Sequence, residues 1–212
     1  MGLGYFIKTV IGTVFPRALL MRGRTRGPTI AITFDDGPHP EHTPQILNIL
    51  DKANVRASFF LQGSLAAQYP KLIQNIHARG HLIGNHSFAH EGPETLGTEA
   101  YVDDVLQTHR LLQAIVQARL PKLFRPPFGA ITPRVFLRLL WYRFRFIFWT
   151  RDSRDSFLRD HRELASYVES MAIRPGDVLL FHDDYAHTLA ALPDILASLQ
   201  QRGFQFVTVE HL

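Results

Sequence analysis

From Pro28 to the C-terminus the chain repeats one unit: a short apolar run, a polar junction and a stretch of helical period. The apolar runs fall at 29–34, 56–61, 81–85, 123–125, 144–149, 178–181 and 204–209. Between them, helical spacing predicts helices near 43–53, 70–79, 99–119, 133–140, 161–172 and 188–201. Thr43 and Pro44 read as the N-cap and first helical position of the first of these, and Gly80 as the stop of the second. Strands separated by helices pair parallel, because a parallel neighbour needs a crossover. Strands apolar on both faces are buried on both sides. The expected fold is therefore α/β, a barrel or near-barrel of about seven parallel strands.

Polar residues are concentrated where those runs stop. Asp35 and Asp36 end the first, His86 and His90 follow the third, and Arg125 ends the fourth. Asp152 and Asp155 follow the fifth, and His182 the sixth. The carboxyl ends of all strands in a parallel barrel open on one face, so these residues are expected in one mouth.

Each cluster has its own chemistry. Neighbouring side chains of a strand point to opposite faces, so Asp35 and Asp36 reach one pocket only if the backbone turns, which Gly37-Pro38 permits. Two adjacent carboxylates repel and resist burial together unless a cation is near. His86 and His90 lie four apart, the spacing at which two imidazoles of one turn can chelate an ion. With Asp36 they form a two-nitrogen, one-carboxylate set that leaves coordination positions open, as catalytic metals require. Zinc suits it, and cobalt, nickel or manganese could substitute. Arg125 leads a stiff Arg-Pro-Pro-Phe-Gly loop and is expected to hold a carboxylate, with Asp155 as its partner and Asp35 steadied in turn. The Phe128 N–H would face the pocket. An imidazole ordinarily titrates near neutral pH, so His182 is expected to serve as a proton donor. Leu180, two residues earlier, points the same way and could line an apolar acyl pocket.

Composition narrows the rest. At 212 residues the chain is long enough for one domain with a real core. It has no cysteine, which excludes disulfides, thiol nucleophiles and thiolate metal sites. The formal charge of +4 is local: residues 1–34 hold Lys8, Arg17, Arg22, Arg24 and Arg26 and no acid, leaving 18 basic residues against 19 acids elsewhere. A nucleic-acid reader would spread its charge over the folded domain, so no nucleic-acid partner is expected. Residues 1–27 are set apart as a basic amphipathic segment, with Leu3, Phe6, Ile7, Val10, Ile11 and Val14 on one stripe and 22–27 as a linker; residues 28–212 form the catalytic domain. The stripe suits either a helix closing the barrel floor or peripheral membrane contact through residues 1–26. No basic residue leads the apolar part before Lys8 and no small-x-small site follows, so a cleavable signal peptide is not expected and the location is read as cytoplasmic or membrane-associated. Oligomeric state is open.

Thr33-Phe34-Asp35-Asp36-Gly37, His86-Ser87-x-x-His90, Arg125-x-Pro127-Phe128-Gly129, Asp152-x-x-Asp155 and Leu180-x-His182, in this order, resemble the five motifs of the NodB-type polysaccharide deacetylases, carbohydrate esterase family four. The likeness covers Thr29 to the C-terminus. It implies a distorted (β/α) barrel of seven strands and removal of N-acetyl groups from an amino-sugar polymer or oligomer of the chitin or peptidoglycan type. It implies Asp35 as general base, Asp36, His86 and His90 as metal ligands, and His182 as general acid. Leu180 would border the acetyl pocket, and Arg125 with Asp155 would tune the base. The chain departs from the family at Phe128, where Tyr is frequent, and at Ser156, where Trp is frequent and Phe157 follows instead. An O-acetyl esterase or a formamido-sugar deformylase would use the same site. A non-haem iron oxygenase also uses two His and one carboxylate, but lacks this β/α order. A sugar-binding protein without catalysis would need neither Asp35 nor His182.

Overall fold

The computed structural model describes residues 18–212. The amphipathic stripe at positions 3–14 lies outside the described residues. In chain order the strands are β1 (Leu19–Leu20), β2 (Thr29–Asp35), β3 (Ser58–Leu61), β4 (Leu82–Asn85), β5 (Leu123–Phe124), β6 (Arg145–Ile147), β7 (Arg151–Asp152), β8 (Val178–His182) and β9 (Gln205–Phe206). The helices are α1 (His42–Lys52), α2 (Gly63–Gln68), α3 (Pro70–Ala78), α4 (Pro93–Leu96), α5 (Thr98–Val116), α6 (Pro133–Trp141), α7 (His161–Ser170) and α8 (Ala186–Gln201).

All recorded pairings are parallel, and the strand order is β1-β6-β5-β4-β3-β2-β8-β7, with β9 beside the start of β2. The sheet curls into an open, distorted barrel, which is the expected architecture with two more short strands than the apolar runs indicated. Both extra strands, β1 and β7, are two residues long and terminate the sheet at its two edges. Such pieces carry no readable period. The stretch 22–27, expected as a linker, is tied to the barrel. Arg22 pairs with the buried Asp177 at 2.6 Å, and the Gly23 N–H donates to the Gly176 carbonyl at 2.8 Å.

β2 is the central strand. Its Ile30, Ile32 and Phe34 are wholly buried, and Phe34 stacks on Phe59 of β3 with ring centroids 5.1 Å apart. Each buried side chain of this size contributes about 1.5–3 kcal/mol relative to exposure. Helices α1, α3, α7 and α8 bury Ile46, Leu47, Ile73, Leu164 and Leu196 against the same core. A second apolar cluster seats the inner face of α6 (Val135, Phe136, Leu139) on Phe124, Phe146 and Leu19. α1 starts one residue before Thr43, not at it. The Thr43 hydroxyl accepts the His39 N–H at 2.8 Å and donates to Asp183 Oδ2 at 2.5 Å, so it ties the helix start to the end of β8 instead of capping.

Candidate active site

The carboxyl ends of β2, β4, β5, β7 and β8 meet around a cavity of about 360 Å³ lined by Asp35, Asp36, His86, His90, Pro126, Phe128, Trp149, Asp152, Ser156, Leu180, His182 and Tyr185. The convergence expected from strand-end positions is what the fold builds. Asp35 is the last residue of β2; Asp36 then takes φ 72°, a left-handed turn that swings the second carboxylate to the same side. Gly37 follows because a Cβ there would lie 2.2 Å from Asp183 Oδ2.

Asp36 Oδ1 lies 3.0 Å from His90 Nε2 and 3.4 Å from His86 Nε2. Among the described residues these three form the one group of potential ligands close enough to share an ion. His86 Nδ1 is 2.7 Å from the Arg125 carbonyl oxygen, which can only accept. Nδ1 therefore carries a proton, so Nε2 is the ring nitrogen left to face the cavity and Asp36. A lone pair 3.4 Å from a carboxylate oxygen is repulsive unless a proton or a cation lies between them. Burial would raise the Asp36 pKa, but the hydrogen bonds and charges of His86 and His90 outweigh it and hold the group well below the usual carboxylate range. The donor set thus fits a divalent cation.

Several contacts that the motifs did not reveal hold this set in place. Gln62, at the end of β3, donates Nε2 to Asp36 Oδ1 at 3.1 Å. Asp104 on α5 accepts the Phe88 N–H at 2.6 Å, between the two histidines, and the Ala89 N–H at 3.4 Å. Ser87 Oγ accepts the His90 N–H at 3.1 Å, where Ser87 and His90 both have positive φ. Gln62 stands at a strand end like the other site residues, and that position was the signal that could have found it. Asp104 sits inside a helix and carries no such mark.

Arg125 is fully buried. Nη1 donates to Asp35 Oδ1 and to Thr33 Oγ1, each at 2.7 Å, and Nε and Nη2 donate to the Ile147 and Phe148 carbonyls. Its plane lies over the Phe60 ring, 4.1 Å from the centroid. The expected pairing of Arg125 with Asp155 is not what the structure builds. The guanidinium is spent on Asp35, Thr33 and the carbonyls of Ile147 and Phe148 at the end of β6. Asp155 serves His182 instead: Oδ1 lies 2.7 Å from His182 Nδ1, and Oδ2 accepts the His182 backbone N–H at 2.7 Å and the Thr188 hydroxyl at 3.0 Å. Burial would lower the His182 pKa, but Asp155, with smaller contributions from Asp35 and Asp36, raises it to about 9. His182 Nε2 is left facing the cavity, 3.9 Å from Asp36 Oδ2. Leu180 lies on the cavity wall. Phe128 sits at φ 57° with its ring edge against His90, and among the described residues nothing accepts its backbone N–H.

The profile of the polysaccharide deacetylase family matches residues 22–145. The chain belongs to the polysaccharide deacetylase family. A peptidoglycan-N-acetylglucosamine deacetylase of Bacillus cereus is 36% identical over 188 residues, 86% of this chain and 87% of the relative. A chitooligosaccharide deacetylase of Bradyrhizobium sp. is 31% identical over 191 residues, 84% of this chain and 87% of the relative. The solved structure of the Bc1960 peptidoglycan N-acetylglucosamine deacetylase superimposes with a TM-score of 0.88 at 30% identity, covering 96% of both chains. The motif-bearing strand ends of this polysaccharide deacetylase are therefore set in the fold that its relatives share.

Proposed function

We propose that the chain is a metal-dependent hydrolase that removes N-acetyl groups from an amino-sugar polymer or oligomer of the chitin or peptidoglycan type. The observation that carries this is that Asp35 and His182, each with its own buried partner, both border the Asp36–His86–His90 donor set. Names of relatives that act on peptidoglycan and chitooligosaccharide support the substrate class.

Asp36, His86 and His90 would hold a divalent cation, zinc by donor preference with cobalt, nickel or manganese as substitutes, and when bound it supplies Lewis-acid polarisation of the carbonyl and acidification of water. Asp35, positioned by Arg125, accepts the proton of the attacking water. The Phe128 N–H donates to the oxygen that gains charge; one such donor is worth about 2.7–4 kcal/mol in the transition state. His182, protonated at neutral pH through Asp155, delivers its Nε2 proton to the departing nitrogen. Leu180 packs against the acetyl methyl.

Matched N-acetyl and O-acetyl sugars test this reading. Release of acetate from the N-acetyl sugar at the higher kcat/KM supports it; preference for the O-acetyl sugar or for a formamide would replace it with the esterase or deformylase. Peripheral membrane contact through residues 1–26, and a membrane-associated or cytoplasmic location, rest on the five cations and no acid of that segment; cell fractionation tests them.

A further inference from the structure

Helix α6 carries a face that the deacetylase chemistry does not use. Positions 134, 137, 138 and 141 fall at i, i+3, i+4 and i+7, one stripe of a helix, and all four side chains are exposed. The stripe alternates cation and apolar residue: Arg134, Leu137, Arg138, Trp141. Leu137 is 59% exposed and Trp141 84%, although the opposite face of the same helix is packed into the core. No acid lies on α6. Lys122 donates Nζ to the Tyr142 carbonyl at 3.0 Å and so places another cation at the end of the helix, where the exposed Arg143 follows. Against these stands Glu99, paired with Arg138 at 2.6 Å.

We propose that this face docks on an anionic lipid bilayer. Exposed Trp and Leu one turn apart suit the interfacial layer, where an indole rests with its apolar body in lipid and its N–H in the headgroups. The surrounding cations meet anionic headgroups and oppose any basic partner. That charge argues against the chain's own residues 1–17, which hold Lys8 and Arg17 and no acid. It argues equally against a second copy, since a two-fold contact would set the same cations face to face. The basic segment joins the barrel beneath the same helix: the Phe146 N–H donates to the Ala18 carbonyl at 2.7 Å, and Ala18 and Leu19 pack with Val135, Phe136 and Leu139. Phe128, on the cavity rim, precedes Pro133 by five positions, so docking through α6 would hold the cavity close to the lipid. The inference is independent of the catalytic reading.

Co-sedimentation of the full-length chain with phosphatidylcholine vesicles, with and without phosphatidylglycerol, tests it. The wild type is expected to bind the anionic vesicles only, with a blue shift of tryptophan emission that Trp141→Phe removes. Leu137→Ser/Trp141→Ser and Arg134→Glu/Arg138→Glu should each lower partition about tenfold or more, while acetate release from a soluble oligosaccharide and the melting midpoint stay at the wild-type values. Lys8→Glu/Arg17→Glu reads the N-terminal segment separately. The proposal is overturned if the α6 variants bind like wild type, whether or not the N-terminal variant does. Equal binding to neutral vesicles or no binding at all also overturns it. So does a self-association by light scattering that the α6 substitutions abolish.

Discussion

His182 Nδ1 lies 2.7 Å from Asp155 Oδ1, and the other oxygen of that carboxylate fixes the His182 backbone N–H at the same distance. One buried carboxylate thus sets both the position and the charge of the imidazole. Asp155→Asn keeps the size but removes the charge that raises the His182 pKa to about 9. A general acid works only while protonated, so the alkaline limb of the pH–rate profile should move to lower pH in the variant. Turnover should fall by about 10²–10⁴-fold, the range of a lost proton donor. An unmoved alkaline limb would assign the proton to another group.

Arg125 and Asp35 form a buried ion pair. Removing one partner strands the other without water, at a cost of about 3–5 kcal/mol. Arg125→Met should therefore lower the urea midpoint strongly, and Arg125→Met/Asp35→Leu should recover much of the loss, although both variants are inactive. Additive losses in the double variant would show that the pair is not coupled.

Asp183 follows His182 but faces the other way, buried against Thr43 with Oδ1 unpartnered. Burial, reinforced by Asp184 and Asp36, pushes its carboxyl up to about 7. The folded state therefore holds a proton that the unfolded chain releases near 3.8, and stability declines as pH rises from that value to about 7. Asp183→Asn removes the titration. The variant should be more stable than wild type by about 1–4 kcal/mol at about pH 8 and gain nothing at about pH 4. Denaturant melts at the two pH values check this, and an equal gain at both would contradict it.

Asp104 holds the loop that carries His86 and His90 through the Phe88 N–H. Asp104→Ala should weaken zinc binding about 10–100-fold, as losses of supporting contacts around ligands do. The readout is competition with a chromophoric chelator, set beside the melting midpoint of the metal-free protein. A fall in that midpoint with zinc affinity unchanged would make Asp104 a fold residue only.

The strands and their shared mouth were legible because buried parallel strands are apolar on both faces and chemistry-bearing residues interrupt them only at their ends. Position along a strand tells which mouth a residue enters, and that was enough for Asp35, Asp36, His86, His90 and His182. It does not tell which neighbour the residue meets there. Opposite charges at one site point Asp155 to Arg125; Asp35, Thr33 and the carbonyls of Ile147 and Phe148 engage the guanidinium instead, and backbone carbonyls carry no letter in a sequence. Pro44 beside it marks Thr43 as a cap, but the Thr43 hydroxyl is engaged across the barrel by Asp183, 140 residues away. β1 and β7 are too short for any period to show.

The most direct test of the whole account is acetate release from N-acetylated chitin oligomers and peptidoglycan fragments, with metal content measured on the same samples. The account predicts release by the zinc-loaded chain, loss on chelation, recovery on adding zinc back, and no release by Asp35→Asn or His182→Ala even though both retain the metal. Undiminished release after chelation, or loss of the metal from Asp35→Asn and His182→Ala, would contradict it.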